Sequence, residues 1–348
     1  MHRTDYNILL WVTRAYSITV LRSMYDYAQE LSGSRVAYYS PAEFHRYLPE
    51  EAQKVDAIEA AIDYNPDMVF VPSNFVHKKV PGLKVQVFHG LCEEKPGHYD
   101  IRGYFDLYCT PGPLMTETMQ DNRKKNAHYL IRETGWPKVD RILRPYDQTE
   151  VRKTLNLPVE NPVILYAPTF SRRFKSTTDM AEVIRNVPGD GETWVIKFHD
   201  LMSDEDRAMF DESPNVVIYD HHDIVPLFHA ADVLISDTSS VVYEFMLLDK
   251  PVITVNAIAR QEKGIDISDI SQFRDAVDQS LEKPDEYSEA RQRIMDQMHP
   301  YRDTENARRV YEAADEVIAN DLTANLPKKP GNWMHELKML FSEKERLK

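Results

Sequence analysis

Four consecutive small polar residues, Asp237, Thr238, Ser239 and Ser240, separate two apolar segments of the chain. The preceding segment has the composition of a strand, and the following one fits a helix that begins near Ser240. Hydroxyl groups at a helix start, together with the unpaired N–H groups there, can bind a phosphate. Simple N-capping is the alternative. Because one capping side chain suffices and four polar residues are present, phosphate binding is the favoured interpretation.

Histidines follow two other apolar segments at the same kind of position. His89 and Gly90 follow one such segment, and His199 follows another, with Lys197 two residues earlier. A neutral imidazole near pH 7 can take a proton from a hydroxyl group, and a lysine can supply charge to a phosphate. Glu244, one turn into the helix that starts near Ser240, can reach a ribose hydroxyl or lie in solvent.

Further polar residues and glycines stand at predicted strand ends. Gly135 and Thr169 each follow an apolar run, and Arg172, Arg173 and Lys175 make the loop after Thr169 basic. The two arginines could clamp a phosphate in a bidentate way. The alternative for this loop is an ordinary solvated surface segment.

The elements that must position these residues alternate between strand-like and helix-like segments. The predicted strands are apolar throughout, which is typical of parallel sheets covered on both faces. We therefore predict an α/β protein with two Rossmann-like, doubly wound parallel-sheet domains whose ligand binds beyond the carboxyl ends of the strands. The predicted strands cover residues 6–12, 35–40, 67–73, 84–90, 105–112, 127–135, 162–169, 193–199, 215–220, 231–236 and 251–256.

The length of 348 residues favours two domains over one. A charged, proline-containing break at 140–158 is a plausible hinge. We predict an acceptor-side domain at 1–145, a nucleotide-donor domain with closing helices at 146–325, and a separate tail at 326–348. A helix is also predicted at 50–62.

Composition excludes several classes of function. The chain is 42% hydrophobic and 28% charged, and its formal net charge of −14 argues against a duplex nucleic-acid binder. Its two cysteines, Cys92 and Cys109, fit reduced thiols in the cytoplasm. The apolar run near the N-terminus is too short for a signal peptide or a membrane span.

The sequence does not demand a metal ion. His221 and His222 are adjacent, so on a strand their side chains point to opposite faces, and no third ligand is obvious. No pair of aspartates stands at a strand end as an anchor for a divalent cation. We expect that no cofactor is required, and a Mg²⁺ ion near the phosphates is compatible with the sequence.

Several motifs, in one order, resemble the CDP-glycerol glycerophosphotransferase family of teichoic acid and capsule synthesis. The resemblance runs from about residue 84 to 310. The motifs are VFHG (87–90), TGWPKVD (134–140), ILYAPTF (164–170), IKFHD (196–200), ADVLISDTSSVVYEFMLLDKPVI (231–253) and YRDTENARRV (301–310).

The resemblance implies a GT-B architecture, with two Rossmann-like domains around a central cleft. It also implies transfer of glycerol phosphate, or a related polyol phosphate, from a CDP-linked donor to a hydroxyl group of a polymer or lipid-linked acceptor. CMP is released. Family histidines match His89 and His199, with Lys197 in the same motif as His199. Glycines 90 and 135 would lie on the acceptor side.

Two departures from the family pattern bear on the donor site. Thr238 replaces the tyrosine of the family's SDYSS motif, so the donor contact at this position differs from the family pattern. The acidic segment that follows the APT motif in the family is here TFSRRFKS (169–176), which is basic. Such a loop would suit a different acceptor or polyol.

The tail at 326–348 has apolar residues on one helical face and lysines on the other. A basic amphipathic helix of this kind can lie on an anionic membrane, which would place a cytoplasmic enzyme on the inner face of the cell membrane. Docking on the protein itself or on a second subunit is the alternative.

Two other classes of function remain open from the sequence. A GT-B glycosyltransferase or a sugar-nucleotide epimerase acting on an NDP-sugar would share the fold and the phosphate-binding turn. An epimerase should carry additional carboxylates at its strand ends, and no convincing set is present. A non-catalytic nucleotide-binding protein is the third class.

Overall fold

The computed structural model describes residues 5–90, 99, 101–125, 127–171, 173–211 and 216–331. Within this range the chain forms two compact units. The first contains the residues up to His89, Tyr99–Pro137 and those from Asn306 onward. The second contains Gly90 and Lys138–Glu305.

Each unit is built on one parallel sheet, with seven strands in the order β3-β2-β1-β4-β5-β6-β7 and six in the order β10-β9-β8-β11-β12-β13. All pairings are parallel. The strands are β1 Asn7–Trp11, β2 Arg35–Tyr39, β3 Gln53–Val55, β4 Met68–Val71, β5 Leu83–Gln86, β6 Leu107–Thr110, β7 Leu130–Glu133, β8 Val163–Tyr166, β9 Thr193–Ile196, β10 Val216–Ile218, β11 Val233–Ser236, β12 Val252–Val255 and β13 Ile265–Ile267.

Helices connect the strands. They are α1 Ala15–Glu30, α2 Ile58–Asp63, α3 Pro113–Arg123, α4 Pro137–Ile142, α5 Gln148–Thr154, α6 Thr177–Asn186, α7 Asp204–Ala208, α8 Val225–Ala230, α9 Ser240–Met246, α10 Phe273–Glu282, α11 Ser288–Met298 and α12 Asn306–Ala319. Short 3₁₀ turns lie at Ala42–Tyr47, Gln261–Lys263 and Ile270–Gln272.

The central strands are buried along their whole length, as a sheet covered on both faces requires. Every residue of β4, β8 and β11 is buried. This explains why these strands are apolar throughout instead of alternating with polar residues. The predicted class, two Rossmann-like doubly wound parallel sheets, is confirmed.

The structure corrects one predicted helix. Residues 50–62 do not form a single helix, because Gln53–Val55 pairs as the edge strand β3 and only Ile58–Asp63 is helical. At an edge, a strand is half-exposed and carries polar residues, so it lacked the apolar signal of the central strands.

The division into units also differs from the predicted domain boundaries. The N-terminal part of the first unit extends to Pro137, and α12 also belongs to this unit although it follows the whole second unit in sequence. The buried Tyr311 hydroxyl of α12 donates to the Met24 carbonyl oxygen of α1 at 3.0 Å, and Arg132 pairs with Glu316 at 2.9 Å. These contacts, made by the apolar and charged faces of α12, place the helix on the first sheet.

In the described part of the chain, no helix is both long and apolar enough to cross a membrane. The predicted amphipathic helix lies largely in 332–348, outside the described residues.

Candidate active site

The strand order of the second sheet reverses between β8 and β11, which pair directly with each other. Ligands of doubly wound sheets bind beyond the carboxyl ends of the strands at such a reversal. The loops that begin at Ala167 and Asp237 border this position. They carry Thr169 and residues 238–240, so four of the predicted phosphate-binding residues lie at the edge where a ligand is expected.

Asp237 holds the two loops together. Its carboxylate accepts hydrogen bonds from the Thr169 backbone N–H at 2.9 Å and from the Ser176 N–H and hydroxyl at 3.2 and 3.1 Å. The Ser236 hydroxyl donates to the Ala167 carbonyl oxygen at 2.6 Å. Asp237 is only 1% exposed. It therefore shapes the loop that would surround a ligand, and its own carboxylate faces the protein.

Residues 238–240 form the turn into α9. Ser239 occupies the N-cap position in an extended conformation, and its side chain makes no capping hydrogen bond within the described residues. The N-capping alternative therefore does not account for its hydroxyl. Gly90, in the same unit, lies so close that a Cβ atom there would be 2.9 Å from the Ser240 hydroxyl oxygen. The acceptor-side role predicted for Gly90 stays a prediction.

A small depression beside this turn contains one basic residue that the sequence pattern did not indicate. Lys263 lines it together with Thr238 and Ser239. Lys263 is buried, and its ammonium donates to the carbonyl oxygens of Ala259 and Arg260 at 3.1 and 2.8 Å. The one available signal was a lysine in the loop after an apolar strand.

Glu244 forms a buried ion pair. Its carboxylate lies 2.6 Å from the Lys138 ammonium, and both side chains are less than a tenth exposed. Lys138 follows the first residue of α4, so α4 and α9 are joined next to the phosphate-binding turn. The pairing excludes the solvated-residue alternative for Glu244, and its predicted ribose contact stays a prediction.

His199 is held in one tautomer by its own loop. The backbone N–H of Leu201 donates to His199 Nδ1 at 3.1 Å, so Nδ1 carries no proton. The proton of the neutral ring is therefore on Nε2, which makes Nε2 a hydrogen-bond donor. Phe170 packs against the ring, with the two ring centres 4.4 Å apart. The side chain is thus prepared to donate a hydrogen bond to an anion.

Lys197 is largely buried near the end of β9. Its ammonium donates to the Phe198 carbonyl oxygen at 2.8 Å and lies 3.6 Å from the Asp200 carboxylate. Burial lowers the pKa of Lys197, and nearby Asp200 opposes that effect. Lys197 therefore contributes its positive charge beside His199 while being anchored by its neighbours.

One basic residue of the loop at 169–176 is engaged in contacts within the protein. Lys175 pairs with Asp206 at 2.5 Å, and the same carboxylate accepts a hydrogen bond from the Thr177 hydroxyl at 3.1 Å. Arg173 is exposed, with its guanidinium over the Phe174 ring. Arg172 lies outside the described residues. Of the two arginines in this loop, Arg173 is therefore the one whose described position allows contact with a phosphate.

His89 lies at the carboxyl edge of the first sheet, whose strand order reverses between β1 and β4. Its Nδ1 is 3.1 Å from the carbonyl oxygen of Pro72, which follows β4. A carbonyl oxygen can only accept, so Nδ1 carries the proton and Nε2 carries the lone pair. This tautomer is opposite to that of His199. It makes His89 Nε2 a proton acceptor.

Gly135 ends the turn after β7. Its φ is +79°, in the left-handed region that favours glycine, and its N–H donates to the Thr110 carbonyl oxygen at 3.2 Å. This gives Gly135 a structural reason to be glycine. Its predicted place on the acceptor side stays a prediction.

The described residues contain no group of three or more histidine, cysteine or acidic side chains that could hold a metal ion. His221 and His222 have adjacent rings, with centres 4.3 Å apart. His221 Nδ1 accepts the Asp223 backbone N–H at 3.2 Å.

Comparison with known protein families shows which family this chain resembles. Residues 93–314 match the model of the CDP-glycerol:poly(glycerophosphate) glycerophosphotransferase family. This chain belongs to that family. The match includes His199, Lys197 and the turn at 237–240, whereas His89 lies just before it. The resemblance predicted from the motifs is thereby confirmed.

Individual relatives cover part of the chain. A teichoic acid glycerol-phosphate transferase from Staphylococcus aureus (strain NCTC 8325 / PS 47) is 29% identical over 168 residues, which are 43% of this chain and 41% of that protein. The alignable region spans between 22% and 41% of the length of this and two further teichoic acid relatives.

Solved structures agree on the fold. The wall teichoic acid polymerase TagF, as an H-to-N variant, superposes with a TM-score of 0.69 at 16% identity, covering 92% of this chain and 90% of that chain. A UDP-N-acetylglucosamine 2-epimerase superposes with a TM-score of 0.62 at 16% identity, covering 95% and 100%. The fold is therefore shared with proteins of more than one activity.

Proposed function

We propose that this protein transfers glycerol phosphate, or a related polyol phosphate, from a CDP-linked donor to a hydroxyl acceptor, and that the transfer serves synthesis of a teichoic acid-like or capsule polymer. The observation that carries the proposal is the family match over residues 93–314. The identity with a teichoic acid glycerol-phosphate transferase supports it.

His89 acts as the general base. Its Nε2 has the lone pair because Nδ1–H donates to Pro72. Nε2 takes the proton of the acceptor hydroxyl as the oxygen attacks the phosphorus that carries the glycerol. The bond from that phosphorus to the bridging oxygen breaks, and CMP leaves with this oxygen. A general base typically contributes about 10²–10⁴-fold to the rate.

His199 stabilises the negative charge that develops on the diphosphate. Its Nε2–H is a donor, because Nδ1 accepts the Leu201 N–H. Lys197 adds positive charge at the same strand end. Preorganised donors of this kind stabilise a transition state without reorganising during the reaction.

The remaining predicted residues hold the donor. Thr169, Arg173 and residues 238–240 contact its phosphates, together with Arg172. Glu244, oriented by Lys138 at 2.6 Å, accepts from a ribose hydroxyl. A ligand that contacts both loops would exploit the geometry that Asp237 fixes between them.

We further propose that the transfer needs no resident metal ion, and that any Mg²⁺ arrives with the donor phosphates. The acceptor is a lipid-linked or polymer hydroxyl, and residues 326–348 contact the membrane surface on its cytoplasmic side. Activity in EDTA compared with activity in Mg²⁺ tests whether the transfer needs a metal ion. Flotation of the full chain and of a 1–331 truncation with anionic vesicles tests the membrane contact.

The donor is tested by incubation with CDP-glycerol, CDP-ribitol and a set of UDP-sugars, with chromatography of the released nucleotide. We expect CMP from a CDP-polyol alone. Release of UDP or UMP would instead identify a glycosyltransferase or an epimerase with the same fold. Tight nucleotide binding without any turnover would indicate a non-catalytic binding protein.

A further inference from the structure

The residue before His89 has an unusual backbone. Phe88 has φ of +60°, in the left-handed region, and is only 3% exposed. A bulky residue rarely adopts this conformation, because its Cβ atom crowds the backbone. Such strain persists only where the surroundings hold it. The position of Phe88 therefore needs a physical cause.

The strain lies where the chain leaves the first sheet. Val87 still continues the sheet, because its N–H donates to the Val71 carbonyl oxygen at 3.0 Å. Two residues later, His89 donates to Pro72, the residue after Val71. The left-handed turn at Phe88 thus separates the last sheet residue from the histidine and sets the direction in which His89 leaves the strand.

One side chain makes a hydrogen bond to the backbone at this turn. The indole N–H of Trp136 donates to the Phe88 carbonyl oxygen at 3.3 Å. Trp136 is 1% exposed, so its indole ring is enclosed by the surrounding core. The Phe88 carbonyl belongs to the peptide that leads directly into His89. Its orientation fixes the backbone N atom of His89, and with it the origin of the imidazole side chain.

We infer that Trp136 is a positioning residue for His89: its indole N–H holds the left-handed Phe88 peptide, and this peptide keeps the imidazole on Pro72 in the Nδ1–H tautomer. The effect of Trp136 on turnover rests on the proposed function, whereas its effect on the His89 tautomer does not.

The test replaces the indole N–H and leaves an aromatic ring. Trp136→Phe is compared with Trp11→Phe, a control in the same unit. Trp11 is equally buried, but its indole N–H has no hydrogen-bond partner among the described residues. ¹⁵N NMR of the histidine rings, with His89 assigned from a His89→Gln variant, reports the tautomer directly.

We expect the wild type and Trp11→Phe to show His89 as the Nδ1–H tautomer, and Trp136→Phe to show a mixture of both tautomers. The kcat for CMP release should fall about 10- to 100-fold in Trp136→Phe, with an unchanged KM for CDP-glycerol. A general packing defect would affect both variants alike.

An unaltered His89 spectrum and an unaltered kcat in Trp136→Phe would overturn the inference, as would equal losses in Trp11→Phe. If Trp136→Phe fails to fold, benzothienylalanine at position 136 keeps the shape of the ring and removes the N–H alone. If even the wild type releases no CMP, the proposed function fails, while the NMR comparison still decides whether Trp136 positions His89.

Discussion

At the scale of single residues, two histidines acquire opposite proton positions from their backbone partners. The carbonyl oxygen of Pro72 fixes the proton of His89 on Nδ1, and the N–H of Leu201 excludes it from Nδ1 of His199. One ring is thereby prepared to accept a proton and the other to donate a hydrogen bond. Their places at strand ends were predictable from the sequence. The tautomers were not, because they depend on backbone atoms.

Removal of the His199 donor should slow turnover without preventing folding. We expect His199→Ala to lower kcat by about 100-fold or more, since the loss of one preorganised donor typically has this effect. His199→Gln should recover part of the rate, because its side-chain amide can still donate. His221→Ala is the matched control, since His221 Nδ1 also accepts a backbone N–H two residues later. Equal rates in the Ala variants at 199 and 221 would contradict the assignment.

At the scale of elements, the sequence predicted most central strands, since their apolar runs are signals of burial on both faces. It missed the edge strands β3 and β13, each three residues long. It also missed the partner of Glu244. Lys138 is 106 positions away in sequence, and only the fold brings the two charges together.

This buried pair gives a prediction about stability. Lys138→Met should lower the free energy of unfolding by about 3–5 kcal/mol, because it leaves the Glu244 carboxylate buried without its partner. The double variant Lys138→Met/Glu244→Met should recover much of that loss, because no uncompensated charge remains. Urea unfolding measures both.

An exposed pair provides the control for this cycle. Lys153 and Glu150 are 2.8 Å apart on the surface of α5, and Lys153→Met should leave unfolding unchanged. A double variant at 138 and 244 that is no more stable than Lys138→Met alone would show that the loss does not come from the unpaired carboxylate.

At the scale of the whole molecule, acid should destabilise the protein through histidines of the second unit that the fold shields fully or partly from water. Burial, aided by His221, lowers the pKa of His222 to about 4, and burial, aided by Lys250, lowers the pKa of His229 to about 4. Burial also lowers the pKa of His299 to about 3. These rings are neutral in the folded protein at pH values where the unfolded chain protonates them.

The direction in which stability changes with pH follows from proton binding. Above a pH of about 6.5, the ordinary pKa of histidine, these rings are neutral in both states and add no pH dependence. As the pH falls from about 6.5 towards 4, the unfolded chain takes up protons that the folded protein does not, so stability falls. Urea midpoints at pH 7, 6 and 5 should decrease. The decrease should be smaller in His299→Leu, and an identical decrease in this variant would contradict the prediction.

The role of His89 as the general base is tested by CMP release from CDP-glycerol by the wild type, His89→Ala and His45→Ala. His45 is a fair control, because its ring nitrogen also contacts the backbone carbonyl oxygen of a residue that follows a strand, Ser40, at 3.0 Å, whereas His45 itself lies in the 3₁₀ turn Ala42–Tyr47. Our prediction is CMP release by the wild type and His45→Ala, and a loss of about 100-fold or more in His89→Ala with retained nucleotide binding. Equal CMP release by His89→Ala and the wild type would contradict it.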